Sequence, residues 1–232
     1  MRYSCSEESY LMELLFRDNI ALTEVRHYMY DPLYFEEYEY LRFACDKRCC
    51  EFITVRHCAR RSLQKLGLQR PVMVPGDHGE PVWPGGVVGS ITHCQGYYAA
   101  AAAMSSNVAT VGIDAERNHP LADHILELIA SEDEKLHLRS IRDSRPDVAF
   151  DRLLFCIKEC VYKAWFPLEK TQLSFHDIVV SISWCGQFKV AIPSSSRQCD
   201  RVFYRGRWRR DRNIIVAALS VPFGCWRTVS CS

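Results

Sequence analysis

Helical and strand patterns follow one another in irregular order along this 232-residue chain, and the fold class they predict is α+β. Three observations carry that prediction. Apolar residues recur at helical spacing over two long segments, 46–66 and 152–166. Four short runs rich in Val, Ile, Phe and Ala crowd the last quarter of the chain and read as strands. The first half mixes both periods too, without the regular strand–helix alternation of a parallel sheet. At roughly 150 residues per domain, the length allows one large domain or two small ones. With 48% hydrophobic, 25% charged and 12% aromatic residues, the chain has ample material for a core, which excludes disorder.

The elements follow in order. The opening, MRYSCSEESYLMELLFRDN, has acids and a short apolar run where a signal peptide needs a basic region and a longer apolar stretch. No run approaches the ~18 to 20 apolar residues of a membrane span, so a soluble, cytoplasmic protein is expected. Residues 31–45 open with Asp-Pro and lead into a helix. In 46–66, Phe52, Val55, Ala59, Leu63 and Leu66 form one face and Gly67 supplies a stop. Arg48, Phe52 and Arg56 share a stripe, with Arg60 one turn further on; a solvated basic face covers this for any single Arg. Residues 71–86 are a Gly/Pro-rich loop. The segment 89–104 reads as two strands around Gln95-Gly96, or as a strand and a small-residue helix, and periodicity does not choose between them.

Residues 105–107, Ser-Ser-Asn, make the best boundary, and 108–116 reads as a strand ending in acids. A helix is expected around 124–130 and another over 131–141, with Ser131 as N-cap and Glu134 completing a capping box. Pro167 is expected to end the 152–166 helix. Strands follow at 177–184, 187–193, 201–208 and 213–221, the last two joined by Arg-Arg-Asp-Arg at 209–212 as a hairpin turn.

Charge names no partner, because 29 Lys and Arg balance 28 Asp and Glu. The twelve Cys are scattered without a Cys-x-x-Cys pair, so reduced, mostly buried thiols are expected. Cys156 and Cys160 stand one helical turn apart, yet nothing completes a metal site with them.

Chemistry concentrates elsewhere. Asp114 and Glu116 alternate at a strand end with the Ala115 carbonyl between them, an oxygen set that suits Mg2+ better than Zn2+. Glu159 and Lys163 lie at i and i+4 on the most regular helix, next to Lys158. If that helix packs on the 108–116 strand, three carboxylates and two lysines converge on a metal-bound phosphate ester. Arg48 and Arg56 offer a planar fork for a phosphate, His93 follows a strand, and the turn amides of 76–81 offer close approach to an anion or a base. Each of these has an ordinary structural account when taken singly; their combination stands out.

The ordered segments EFITVRHCAR (51–60), GEPVWP (79–84), GSITHC (89–94), VGIDAE (111–116) and FCIKECVYKAWFPL (155–168) resemble the surfactin-type, or type II, 4'-phosphopantetheinyl transferases. They are most similar to the branch of the enterobactin-synthase component D enzymes and the mycobacterial type II enzyme, over about residues 45–220. The resemblance implies a pseudo-dimer of two similar α+β subdomains, 1–104 and 108–232, with coenzyme A between them. It implies Mg2+ at Asp114, Ala115, Glu116 and Glu159, with Glu159 or a water it orients as base and Lys163 neutralising phosphate charge. It further implies phosphate contacts from Lys158, from Arg48 and Arg56 on the adenosine 3'-phosphate, and from Thr92 with His93. The loop Gly76, Asp77 and His78 would line the adenine. Pro75 departs from the family pattern, standing where relatives often carry a lysine, and offers neither charge nor amide hydrogen.

The implied reaction moves phosphopantetheine from coenzyme A to a serine of an apo carrier protein of fatty acid, polyketide or non-ribosomal peptide synthesis. The implied enzyme is a monomer with no nucleic acid or membrane partner. Two rivals stand beside it: a Mg2+-dependent coenzyme A pyrophosphatase that uses the same acids with water as acceptor, and a non-catalytic nucleic-acid module built on the basic segment 204–212. That segment reads more simply as a hairpin tip, where a modest basic surface also suits docking of an acidic carrier.

Overall fold

A computed structural model describes residues 11–16, 19–193 and 201–225. The first ten residues and Cys5, Cys199 and Cys231 lie outside these, so the expectations placed on them are not addressed by it. After a 3-10 turn at Glu13–Leu15 come β1 (Ala21–Val25), α1 (Phe35–Leu41), α2 (Asp46–Lys65), β2 (Val87–Cys94) and β3 (Tyr97–Met104). Past the turn at 105–107 follow β4 (Val108–Arg117), α3 (Asp123–Ile129), α4 (Glu132–Ile141) and α5 (Phe150–Glu169), then β5 (Val179–Ser183), β6 (Gln187–Pro193), β7 (Arg201–Asp211) and β8 (Ile214–Pro222). The α+β class holds. Every strand pairs antiparallel, in one sheet ordered β1-β3-β2 and another ordered β4-β8-β7-β6-β5.

Three apolar layers hold the elements together. Val55, Cys58, Ala59 and Leu63 of α2 pack on Ala100 and Ala102 of β3. Ala99 and Ala101, on the other face of β3, pack with Val111, Ile113, Ala115, Val216 and Ala218 of the second sheet. Leu153, Leu154, Ile157 and Val161 of α5 pack on the far side, against residues that include Ile215, Ala217 and Trp208. β3 is therefore covered on both faces, and its alanines keep the layers close. Burial on both faces removes the period-2 signal, which is why 89–104 left strand and helix equally open. It forms two strands, with Gly96 at φ +80 in the turn.

β2 and β4 are edge strands of different sheets, and side chains join them where ladder bonds would otherwise run. The Ile113 amide donates to Ser90 Oγ at 3.1 Å and the Ala115 amide to Thr92 Oγ1 at 3.0 Å. α5 lies directly on β4: a Cβ on Gly112 would come 2.1 Å from the Cys160 carbonyl oxygen. Thr110 Oγ1 adds a bond to the Ala164 carbonyl at 2.6 Å.

Several expectations need correction. α5 continues through Pro167 to Glu169, because a proline in the last turn withholds only one bond and the chain then closes at Lys170, in left-handed conformation with its amide on the Phe166 carbonyl. Residues 209–211 remain in β7, paired with β8, so the turn is Arg212-Asn213 and the basic segment 204–212 is mostly strand. β1 was not anticipated. The α4 capping box forms as expected, between Ser131 and Glu134. Of the nine described cysteines only Cys58, Cys156 and Cys160 are buried, fewer than expected, and burial pushes the Cys156 and Cys160 thiols well above their usual range. Among the described residues no helix is long and apolar enough to cross a membrane.

Candidate active site

A cleft of about 510 Å³ lies between the first sheet, the 71–81 loop and the β4–α5 pair. One wall carries Arg48, Arg56, His78, Thr92 and His93; the other carries Asp114, Glu116, Glu159, Tyr162, Lys163 and Phe166. Strand alternation turns Asp114 and Glu116 to the α5 side and Ala115 into the apolar layer between the sheets. On α5, Phe155, Glu159, Tyr162, Lys163 and Phe166 share one face by their three- and four-residue spacing.

Asp114 is the centre of the acidic wall. Its Oδ1 accepts from the Thr92 hydroxyl at 3.0 Å and from Lys163 Nζ at 2.7 Å. Its Oδ2 is buried and accepts no hydrogen bond from the described residues, an expensive state for a carboxylate oxygen. Burial, and then the charge of Asp114, raise the carboxyls of both Glu116 and Glu159 above the usual range, against partial relief from Lys163. Glu116 also meets Arg152 Nη1 at 3.2 Å. Burial works against the Lys163 ammonium, but Asp114 and Glu159 outweigh it and hold its pKa above the ordinary value.

Hard oxygen donors, mutual repulsion and an orphaned carboxylate oxygen fit a divalent cation of the Mg2+ kind. Among the described residues no three His, Cys, Asp or Glu side chains ring a single point.

The opposite wall is basic. Arg56 lies 3.8 Å over the Phe52 ring, and its Nε donates to the Met73 carbonyl at 3.0 Å. Burial lowers its pKa to about 10, with Arg48 and Arg60 adding to the fall and Glu37 opposing it, so it stays cationic at neutral pH. His93 Nε2 stands 3.3 Å from Glu51 Oε2. Burial pushes His93 below its ordinary value, against the pull of Glu51. The loop is closed by a Pro75–Pro81 bridge, by the Gly76 amide on the Glu80 carbonyl at 2.7 Å, and by the His78 amide on the Glu80 carboxylate at 3.0 Å.

The structure brings Arg48, Arg56, His78, Thr92, His93, Asp114, Glu116, Glu159 and Lys163 to this one cleft. Other expectations fail. Lys158 is 0% exposed and faces away, donating to the Ile129 carbonyl at 2.7 Å, Glu134 Oε2 at 2.8 Å and the Phe175 carbonyl at 2.8 Å. Its three hydrogens are all taken, so it offers none to a phosphate. One residue is 100° of helix, which is why Lys158 leaves the face that its neighbour Glu159 occupies. The Thr92 hydroxyl has one proton, and it goes to Asp114, not outward. Pro75 and Gly76 pair with Pro81 and Glu80 at the base of the loop and Asp77 stands at its turn, so these three lie outside the cleft lining, which takes His78, Gly79, Glu80 and Pro81. Sequence reasoning missed Glu80 and the aromatic residues of α5; the i, i+3, i+4 spacing from Glu159 would have found the latter.

Comparison with known proteins identifies the family. The 4'-phosphopantetheinyl transferase N-terminal domain matches residues 36–103, and the 4'-phosphopantetheinyl transferase superfamily matches residues 110–217. The chain is 41% identical over 195 residues to the 4'-phosphopantetheinyl transferase Svp of Streptomyces mobaraensis, covering 82% of this chain and 78% of the relative. It is 41% identical over 181 residues to PptT of Mycobacterium tuberculosis, covering 75% and 79%. Over 138 residues it is 33% identical to enterobactin synthase component D of Salmonella typhi, covering 59% and 56%. The chain is an enzyme that belongs to the 4'-phosphopantetheinyl transferase superfamily.

Proposed function

We propose that the protein transfers 4'-phosphopantetheine from coenzyme A to a serine hydroxyl of an apo carrier protein and releases adenosine 3',5'-bisphosphate. The observation that carries this reading is the pairing, across one cleft, of an arginine–histidine wall with an acidic wall whose Asp114 Oδ2 lacks a partner. Arg48, Arg56 and His93 hold the 3'-phosphate, where planar guanidinium donors suit phosphate oxygens. Asp114, Glu116 and Glu159 would hold Mg2+, with the Ala115 carbonyl nearby; such an ion supplies charge stabilisation on the pyrophosphate. Glu159, or a water it orients, takes the proton as the serine oxygen bonds to the β-phosphorus and the phosphoanhydride bond breaks. Lys163 places positive charge beside the oxygens where negative charge accumulates. Holding both reactants in one cleft adds positioning.

In this reading 1–104 and 108–232 act as the two subdomains, and a cytoplasmic monomer suffices, since both walls come from one chain. Carrier proteins of fatty acid, polyketide or non-ribosomal peptide synthesis are the partners, with no role for nucleic acid or membrane.

The test is the intact mass of an apo acyl carrier protein after incubation with the enzyme, coenzyme A and Mg2+. A gain of about 340 Da that EDTA abolishes is expected for a metal-assisted transfer. No gain with several carriers would refute the reading, and loss of coenzyme A without apo-protein would identify a pyrophosphatase instead.

A further inference from the structure

Behind the basic wall, outside the cleft, lies a buried charge cluster that the reaction does not use. Glu37 of α1 is fully buried, and Arg60 of α2 and Asp31 nearly so. Arg60 Nη1 donates to Asp31 Oδ2 at 2.9 Å, and its Nη2 donates to Glu37 Oε1 at 2.5 Å. The same Arg60 reaches the Pro71 carbonyl at 3.3 Å. Glu37 Oε2 accepts the Tyr34 amide at 3.1 Å. Its Oε1 also accepts the Met73 amide at 2.7 Å, and the carbonyl of Met73 receives Arg56 Nε.

One peptide segment is thus gripped on both sides. Glu37 holds the Met73 N–H, Arg56 holds the Met73 C=O, and the Met73 side chain is fully buried against α2 and β3. Two consequences follow. The loop that supplies His78 to Pro81 leaves its anchor at a fixed point, and the Arg56 guanidinium is fixed by the Met73 carbonyl at Nε and by the Phe52 ring on its face. Among the described residues no other hydrogen bond holds its remaining nitrogens, which leaves them for an anion in the cleft. A donor held this way loses little freedom when it binds a phosphate, and that preorganisation appears as affinity.

We infer that Glu37 is a positioning residue for the 3'-phosphate of the nucleotide, acting through Met73 on Arg56 and on the 71–81 loop. The inference rests on the function proposed above. Glu37→Gln keeps the side-chain volume and one acceptor, but loses the charge facing Arg60 and the second acceptor for the Tyr34 amide. Glu37→Asp keeps the charge and withdraws the carboxylate from Met73 by one methylene.

The test is isothermal titration of wild type and both variants with adenosine 3',5'-bisphosphate and with adenosine 5'-monophosphate, which lacks the 3'-phosphate. The expected result is a fall of about tenfold in the preference for the bisphosphate, equivalent to ~1.4 kcal/mol, with the monophosphate nearly unchanged. In the transfer assay the KM for coenzyme A should rise while kcat at saturation holds, a split that general loosening of the fold would not produce. A preference matching that of wild type in a folded variant would overturn the inference. A wild type that binds both nucleotides equally would refute instead the assignment of the basic wall to the 3'-phosphate.

Discussion

Thr92→Val tests the link between the two walls. The substitution keeps the shape and removes a hydroxyl that accepts the Ala115 amide at 3.0 Å and donates to Asp114 Oδ1 at 3.0 Å. Removing a bond to a charged group costs about 1.5–3 kcal/mol, and a buried amide left without an acceptor costs about 1–3 kcal/mol; since the two share one site, we expect about 2–4 kcal/mol in all. Thr92→Ser keeps both bonds and loses one buried methyl group, for about 1 kcal/mol. Urea unfolding of the three proteins measures the difference. Asp114 would still be held by Lys163, so the Val variant should fold and transfer phosphopantetheine at least tenfold more slowly, a barrier change of about 1.4 kcal/mol. A Val variant as stable as the Ser variant would show that the hydroxyl does not carry the contact between β2 and β4.

Glu159→Gln should abolish transfer by intact-mass assay while its unfolding midpoint stays level or rises, because a half-buried carboxylate repelled by Asp114 has been neutralised. Lys158→Met leaves Glu134 buried without its cation and should lower stability by about 3–5 kcal/mol in urea, with the KM for coenzyme A within twofold of wild type. A direct phosphate contact would give the reverse pattern. Glu116 and Glu159 have folded pKa values raised by burial and by Asp114, so the folded state binds protons more tightly than the unfolded one. Their contribution to metal-free stability is therefore most favourable at low pH and declines as pH rises through the raised values. Mg2+ should offset that decline, giving a Tm increase by scanning fluorimetry at about pH 8 that shrinks near pH 5 and vanishes in Asp114→Asn. An equal shift at both pH values would place the ion elsewhere.

The sequence made the helices legible because each has one apolar stripe: α2 and α5 appear within a few residues of their observed bounds. The α4 start was readable from two residues, Ser131 and Glu134, whose reciprocal bonds need only local geometry. β3 was ambiguous because both of its faces are covered, and β1 escaped notice because five residues carry too little pattern. In the site, Asp114, Glu116, Glu159 and Lys163 were legible from strand alternation and one helical turn. Lys158 was misplaced although helix geometry alone turns it off that face. Its true partners, Ile129, Glu134 and Phe175, lie 17 to 29 residues away along the chain, beyond any local rule. Thr92 likewise looked outward because nothing local reveals that β4 comes to lie beside β2.

The seam of Ser90 and Thr92 hydroxyls gives the order of synthesis a chemical meaning. A nascent chain that has emerged only as far as β3 already carries Arg48, Arg56 and His93, yet lacks Asp114, Glu116 and Glu159 of the acidic wall. The acids arrive with β4 and α5, and Asp114 meets its Thr92 partner only when the strand bearing it settles against β2. Docking of β4 against β2 therefore sets Asp114 in place by the same contacts that join the two sheets.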